Sequence, residues 1–315
     1  MLIFVEYKFL GDTMKKIKVN VEDSNQRLDK FLLKFFNGAS KSFIYKMLRK
    51  KNIKLNNIKS VGNEILKAND EIFIYMSDET INKFQKEVRK IKSNRPIKIL
   101  YEDKNILICE KSAGILSQPA QKFDNDTLLN RLYSLYTNKI NICNRLDRNT
   151  SGIIICGKNF LALQKINNLL ANHLIDKYYL TIVKGKIDKA GHIENYIVKD
   201  EVLNKSQINK NGIGKKIITQ YKPIAFTNDF TLLEIKLITG KSHQIRAHLQ
   251  SIKHPIIGDT KYGDKDTNLF FKNKFNLHHQ LLHAYKIKFN DNEFANKEII
   301  CPPPKIFSDI KNFLF

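Results

Sequence analysis

The chain has no apolar run near the roughly 18 residues that cross a bilayer. Its opening segment is broken by Glu6 and Lys8 and lacks a basic start and a small-residue cleavage site, so it does not read as a secretory signal. No membrane association is expected. Cysteine is scarce. Cys109, Cys143, Cys156 and Cys301 have no Cys-x-x-Cys spacing and read as buried free thiols of a reducing cytoplasm. The 8 histidines include His243/His248 and His278/His279/His283, but no His-Glu-x-x-His or Cys/His grouping accompanies them. A metal is therefore not expected. Arginine is scarcer than the charge suggests: only Arg27, Arg49, Arg89, Arg95, Arg131, Arg145, Arg148 and Arg246 stand among 54 basic residues. Where lysine serves, this chain uses lysine, so the arginines flanking Asp147 point to a need for the planar guanidinium fork.

Against 31 acidic residues the basic excess gives a net charge of +23, which selects a polyanionic partner because neutralised phosphates release their counterions. A Lys-, Asn- and Ile-rich composition accounts for part of that excess. At 315 residues and 42% hydrophobic content the chain can fill one sizeable core and a small one. Residues 1–13 read as an extension ahead of Met14. Over 26–36, Leu28, Phe31, Leu32 and Phe35 recur at helical spacing; Ser40 or Ser42 can then cap a second helix with Phe43, Ile44, Met47 and Leu48 inward. Its other face carries Lys46, Arg49 and Lys50, either a polyanion-binding face or an ordinary solvated one. Short strands follow near 53–55 and 71–75, closing a first domain at 14–78. Residues 79–95 are mostly polar and read as a linker, part helical.

From 96 to 315 the pattern mixes strands (97–101, 106–110, 153–156, 178–184, 217–226, 230–238) with helices near 127–136, 160–174 and 243–252. Many connections are too short for helical crossovers, so the fold class is α+β with a mostly antiparallel sheet flanked by helices.

The stretch Asn144-Arg145-Leu146-Asp147-Arg148-Asn149-Thr150-Ser151-Gly152, followed by Ile153-Ile154-Ile155-Cys156, places one carboxylate in an arginine-flanked turn before a buried strand. Arg-Leu-Asp alone says little, since it also occurs at Arg27-Leu28-Asp29. The ordinary reading is an Asx-type turn. A calcium loop fails because Lys158 stands where the bidentate Glu belongs.

The longer string resembles the His-Arg-Leu-Asp-x-x-Thr-Ser-Gly motif of the RluA-type RNA pseudouridine synthases. Further segments resemble that family in order. They are Ile106–Lys111 with Gly114, Lys177-Tyr178-Tyr179, Thr239-Gly240-Lys241-Ser242-His243-Gln244-Ile245-Arg246, His254-Pro255 to Asp259 with Tyr262-Gly263, and Leu282-His283-Ala284. The first domain is similar to an S4 RNA-binding domain, with Ser40-Lys41-Ser42 and Asn69-Asp70 at its motif positions.

The resemblance implies isomerisation of uridine to pseudouridine in RNA, a reaction that needs no cofactor. Asp147 would be the nucleophile, Tyr179 the tyrosine beside the base, and Arg246 the partner that keeps Asp147 ionised. Arg145 would support a flipped nucleotide and Lys241 would contact RNA. Each has a plainer alternative: a core aromatic for Tyr179, an exposed helix arginine for Arg246, a structural role for Lys111. Ser242 can cap the helix that aims Arg246, and the His254–Asp259 and Leu282–Ala284 segments read as packing and turn geometry. Asn144 stands for the family's His and Lys241 for its Arg, which predicts altered loop hydrogen bonding and a lost bidentate contact. An S4-like domain implies large-subunit ribosomal RNA as partner; a monomer is expected, in the cytoplasm that the free thiols indicate. A tRNA substrate and a non-catalytic RNA-binding or ribosome-assembly role are the alternatives.

Overall fold

The computed structural model describes residues 7–9, 14–85, 96–121, 124, 126–136, 140–200, 205–209, 211–291, 294 and 297–315. The amino-terminal part is a sheet of β1 (Tyr7–Phe9), β2 (Lys15–Lys18), β3 (Ile53–Leu55), β4 (Ile58–Lys59) and β5 (Glu71–Ile74), in the order β1-β2-β5-β3-β4. Helices α1 (Leu28–Phe35) and α2 (Lys41–Arg49) pack on it. The expected apolar stripe of α1 is buried, Ser40 caps α2 by accepting the Phe43 N–H, and Ile44, Met47 and Leu48 join Ile17, Ile53, Ile72 and Ile74 in one core. Lys46, Arg49 and Lys50 lie exposed on the other face of α2.

One expectation here needs correction, although the part-helical reading of residues 79–95 holds. Residues 79–95 do not begin as a linker, because α3 (Asp78–Phe84) is a helix capped by Ser77. Its Ile81 is buried in the first core and Phe84 packs on Phe43, ring centroids 4.1 Å apart. Residues 86–95 lie outside the described residues. In the proposed 1–13 extension, β1 pairs antiparallel with β2.

The larger sheet has 11 strands. In chain order these are β6 (Ile99–Glu102), β7 (Ile106–Lys111), β8 (Asn141–Ile142), β9 (Ser151–Gly157), β10 (Ile175–Lys184) and β11 (Gly191–Asp200). They continue with β12 (Lys205–Asn209), β13 (Lys215–Phe226), β14 (Phe230–Leu237), β15 (Leu282–Phe289) and β16 (Glu298–Ile300). The main order is β12-β11-β13-β14-β10-β15-β9-β7-β6, with β16 on β15 and β8 on β9. As expected the pairing is mostly antiparallel. The β9–β15 pair, Ser151 opposite His283 and Gly152 opposite Ala284, is parallel.

Helices cover both faces. Leu128, Leu129 and Leu132 of α4 (Leu128–Leu135) and Ile245 and Leu249 of α6 (Gln244–Ser251) pack on one side against Leu107, Ile154, Tyr179 and Leu233. On the other lie α5 (Phe160–Ala171), α7 (Lys265–Phe275) and α8 (Lys305–Leu314), through Ile166, Phe271 and Phe307. Because β9 is covered on both faces its apolar run is unbroken. Each of its buried isoleucines stabilises the fold by about 1.5–3 kcal/mol. The sequence pattern missed β11, β12, β15, α7 and α8; in α7 most residues are exposed, which blurs its period. Among the described residues no helix is long and apolar enough to cross a membrane.

Candidate active site

Asp147 sits in the loop between β8 and β9, and that loop is held by backbone anchors rather than by its own arginines. The Ser117 hydroxyl donates to the Leu146 carbonyl and accepts the Leu146 N–H, at 2.9 and 3.0 Å. Lys111 is fully buried, and its Nζ donates to the carbonyls of Ser112, Ile115 and Arg148 at 2.9–3.0 Å. Burial pulls its pKa down to about 7, with Asp147 opposing. At the far end Gln280 donates to Thr150 Oγ1 at 3.0 Å, and Ser151 Oγ lies 2.8 Å from His283 Nδ1. At Gly152, with φ +118°, a Cβ would lie 2.3 Å from the Ala284 carbonyl oxygen, so only glycine lets β9 meet β15 there.

Asn144, where the resemblance expects His, donates to the Ile153 carbonyl at 3.3 Å and accepts the Ile155 N–H at 2.8 Å. Its amide supplies both a donor and an acceptor to the backbone of β9, which an imidazole in one tautomer also offers but at a different spacing.

Asp147 remains a quarter exposed, and its Oδ2 accepts from Arg246 Nη1 at 2.8 Å. Arg246 is buried on α6. Its remaining fork is taken by Asp259, with Nε donating to Oδ2 at 2.7 Å and Nη2 to Oδ1 at 2.9 Å. The guanidinium also stacks 5.0 Å above the Tyr262 ring. Burial opposes its charge, but Asp259 and Asp147 outweigh burial and raise its pKa above the usual arginine value. Asp259 is fully buried and also accepts the backbone N–H groups of Lys261 and Tyr262.

Tyr179 on β10 faces the α4/α6 side and is 6% exposed. Burial, then the nearby Asp147 charge, raises its pKa well above the usual phenol value. Among the described residues its hydroxyl has no hydrogen-bond partner. Tyr178 is its neighbour on the opposite face, under Lys286 at 4.4 Å. Asp147, Tyr179 and Arg246 thus converge from three separated segments.

Other candidates lie elsewhere. Arg145 and Arg148 do not hold Asp147: both are exposed, Arg145 has no ion-pair partner among the described residues, and Arg148 reaches Asp124 at 3.9 Å. Lys241 is exposed just before α6. Lys46, Arg49 and Lys50 belong to the amino-terminal unit. The expected Ser242 cap does not form. The residue before α6 is His243 in the left-handed region, and the Gln244 side chain instead accepts the Lys241 N–H and the Thr239 hydroxyl.

Asp259, Tyr262 and His243 were not singled out for the site by their sequence pattern, which assigned the first to a turn. The one available signal was the spacing of Asp259 and Tyr262 after the arginine-bearing helix. The four cysteines are free. Among the described residues no group of three or more His, Cys, Asp or Glu side chains is arranged to hold a metal.

The family described as RNA pseudouridylate synthase matches residues 105–251. The chain is 32% identical over 307 residues to the ribosomal large subunit pseudouridine synthase D of Borreliella burgdorferi, covering 93% of this chain and 90% of that protein. It is 34% identical over 279 residues to the protein of the same name from Buchnera aphidicola subsp. Schizaphis graminum, covering 84% and 86%. To an uncharacterized RNA pseudouridine synthase of Mycoplasma genitalium it is 34% identical over 298 residues, covering 87% and 88%. The solved human RNA pseudouridylate synthase domain containing 4 shares the fold, with a TM-score of 0.55 and 23% identity over 67% of this chain and 90% of that one. With a third of its residues shared along nearly the whole length of such relatives, the chain belongs to the RNA pseudouridylate synthase family.

Proposed function

We propose that the protein isomerises specific uridines to pseudouridine in large-subunit ribosomal RNA, with Asp147 as the nucleophile. The observation that carries this reading is the Arg246–Asp147 ion pair at 2.8 Å, in which a buried arginine orients a partly exposed carboxylate. The relatives' names support the choice of ribosomal RNA.

The reaction breaks the C1′–N1 bond, turns the uracil and joins C1′ to C5. The hydrogen at C5 leaves as a proton and N1 ends with one, so the change is redox-neutral. An ionised Asp147 opposite C1′ stabilises the positive charge that develops there or bonds to it, as carboxylates do in glycoside chemistry. Arg246 orients the carboxylate, and Asp259 orients Arg246. Tyr179, buried and un-ionised, offers a ring for the uracil to stack on and a hydroxyl with no hydrogen-bond partner among the described residues.

A stacked base hides its C1′, so the target nucleotide must leave the stack. Arg145, exposed two residues before Asp147, supports the flipped nucleotide, and Lys241 contacts the backbone. The small sheet with α1 and α2 is read as an S4-like RNA-binding unit, with Lys46, Arg49 and Lys50 on phosphates. The catalytic unit is then residues 96–315. Four free cysteines suit a monomer in a reducing cytoplasm.

Unmodified large-subunit ribosomal RNA and tRNA transcripts are incubated with the purified protein and their pseudouridines mapped. The expected outcome is modification at discrete ribosomal positions, absent with Asp147→Asn. Modification of tRNA alone would replace the substrate, and turnover by Asp147→Asn near the wild-type rate would remove the nucleophile.

A further inference from the structure

His243 has no part in the chemistry above, yet its side chain is fixed toward the site. Its backbone lies at φ 58° and ψ 13°, in the left-handed region that is uncommon for residues other than glycine. Nδ1 lies 3.0 Å from the Tyr262 hydroxyl oxygen. That oxygen also lies 2.9 Å from the Ser206 carbonyl oxygen and 2.8 Å from the Ser206 backbone nitrogen.

A phenol carries one proton, and a carbonyl can only accept. Assigning the Tyr262 proton to the Ser206 carbonyl leaves its oxygen to accept from the Ser206 N–H and from Nδ1–H of His243. This fixes the neutral imidazole as the Nδ1–H tautomer and leaves the lone pair on Nε2. Ser206 is itself anchored to the same turn, its hydroxyl donating to the Ser242 carbonyl at 2.9 Å. The β12 strand thus sets the tautomer of a residue that precedes α6.

Nε2 lies 3.9 Å from Asp147 Oδ2, beyond hydrogen-bond reach. Burial, the strongest influence, holds His243 below its ordinary pKa, with Asp147 opposing and Arg246 and Lys261 adding to it. Near neutral pH two acceptors therefore face one another with no proton between them. A hydroxyl placed about 2.8 Å from Nε2 can give its single proton to that nitrogen, while Asp147 Oδ2 already accepts from Arg246. If Asp147 meets C1′, the nearest donor on the substrate is the hydroxyl on the adjoining carbon.

We propose that His243 Nε2 accepts a hydrogen bond from the ribose 2′-hydroxyl of the target uridine, and that this contact distinguishes ribose from deoxyribose at the site. The inference rests on the reading of Asp147 given above. A site built around a substrate hydroxyl rejects the analogue that lacks it, because the buried acceptor is left unpaired.

The test uses a short RNA around a mapped uridine, with either uridine or 2′-deoxyuridine at the target. Two quantities are measured: kcat/KM on the ribose RNA, and the inhibition constant of the deoxy RNA as competitor. His243→Asn is the informative variant. Asn tolerates the left-handed backbone and keeps an amide donor where Nδ1 stands, but has nothing at the Nε2 position. Its kcat/KM should fall about tenfold, the size of one lost hydrogen bond, while the deoxy RNA binds as it does to wild type within about twofold.

His243→Gln, which restores an acceptor near Nε2, should recover part of the loss. Equal losses on both RNAs, or no loss on either, overturn the proposal. Tyr262→Phe frees the tautomer and should show the same split more weakly, which keeps the test open if His243→Asn does not fold. Failure of the wild-type protein to make pseudouridine in the mapped RNA would instead defeat the underlying reading.

Discussion

Arg246 is shared between two carboxylates of opposite character: fully buried Asp259 binds its Nε and Nη2, while partly exposed Asp147 takes Nη1 at 2.8 Å. The buried partner fixes the direction of the guanidinium and the exposed one receives it. A lone pair of charges would not provide that division, because one ion pair on a flexible side chain leaves its orientation free.

Arg246→Lys therefore tests the fork rather than the charge. A lysine ammonium can approach one carboxylate but not hold both in one plane, so kcat should fall at least about a hundredfold while RNA affinity falls by less than about threefold. Steady-state kinetics and filter binding separate the two. Equal losses would mark Arg246 as a general phosphate contact.

Asp259→Asn removes the charge that balances a buried arginine while keeping its shape. Breaking a buried pair from one side costs about 3–5 kcal/mol, and the amide's remaining acceptor places this substitution near the lower bound. Thermal unfolding should show a clear fall in Tm together with lost activity. An unchanged Tm would mean that Asp147 alone satisfies Arg246.

Stability should fall on acidification through a histidine away from the site. His248 is fully buried, with Nδ1 2.8 Å from Thr219 Oγ1 and Nε2 without a partner among the described residues, and burial lowers its pKa to about 4. Unfolded, it takes a proton near its ordinary value of 6.5, while the folded chain resists until about 4. Between those values the unfolded state binds more protons, so stability declines as pH drops through that window. Tm measured from pH 7 to pH 4 should fall more steeply for wild type than for His248→Gln.

Removing residues 1–85 should leave a folded catalytic unit, because Ile81 and Phe84 pack in the first core and the larger sheet has cores of its own. RNA binding should weaken, and its salt dependence should flatten as Lys46, Arg49 and Lys50 are lost. Affinity across a salt series decides this; an unchanged slope would mean that the amino-terminal charge is only a solvated surface.

The local features of the protein were legible in the sequence. The apolar period of α1 and α2, the Ser40 cap, the buried run of β9 and the turn carrying Asp147 all depend on neighbours within a few residues, where spacing and backbone preference decide the outcome. The choice of Tyr179 over Tyr178 came from the family resemblance, and strand alternation places the two on opposite faces. Arg246 was visible as a motif residue aimed along its helix.

What holds Arg246 was decided in three dimensions. Asp259 reads locally as a turn residue, and only the folded chain shows that it spends both oxygens on the guanidinium. Arg145 and Arg148 look like the partners of Asp147 because they flank it, yet adjacent side chains of a loop diverge, and a residue 99 positions away makes the bond. The tautomer of His243 depends on Tyr262 and on Ser206 of another strand. Hydrogen bonds of that kind join segments far apart in the chain, and their geometry exists only once the sheet and helices have packed.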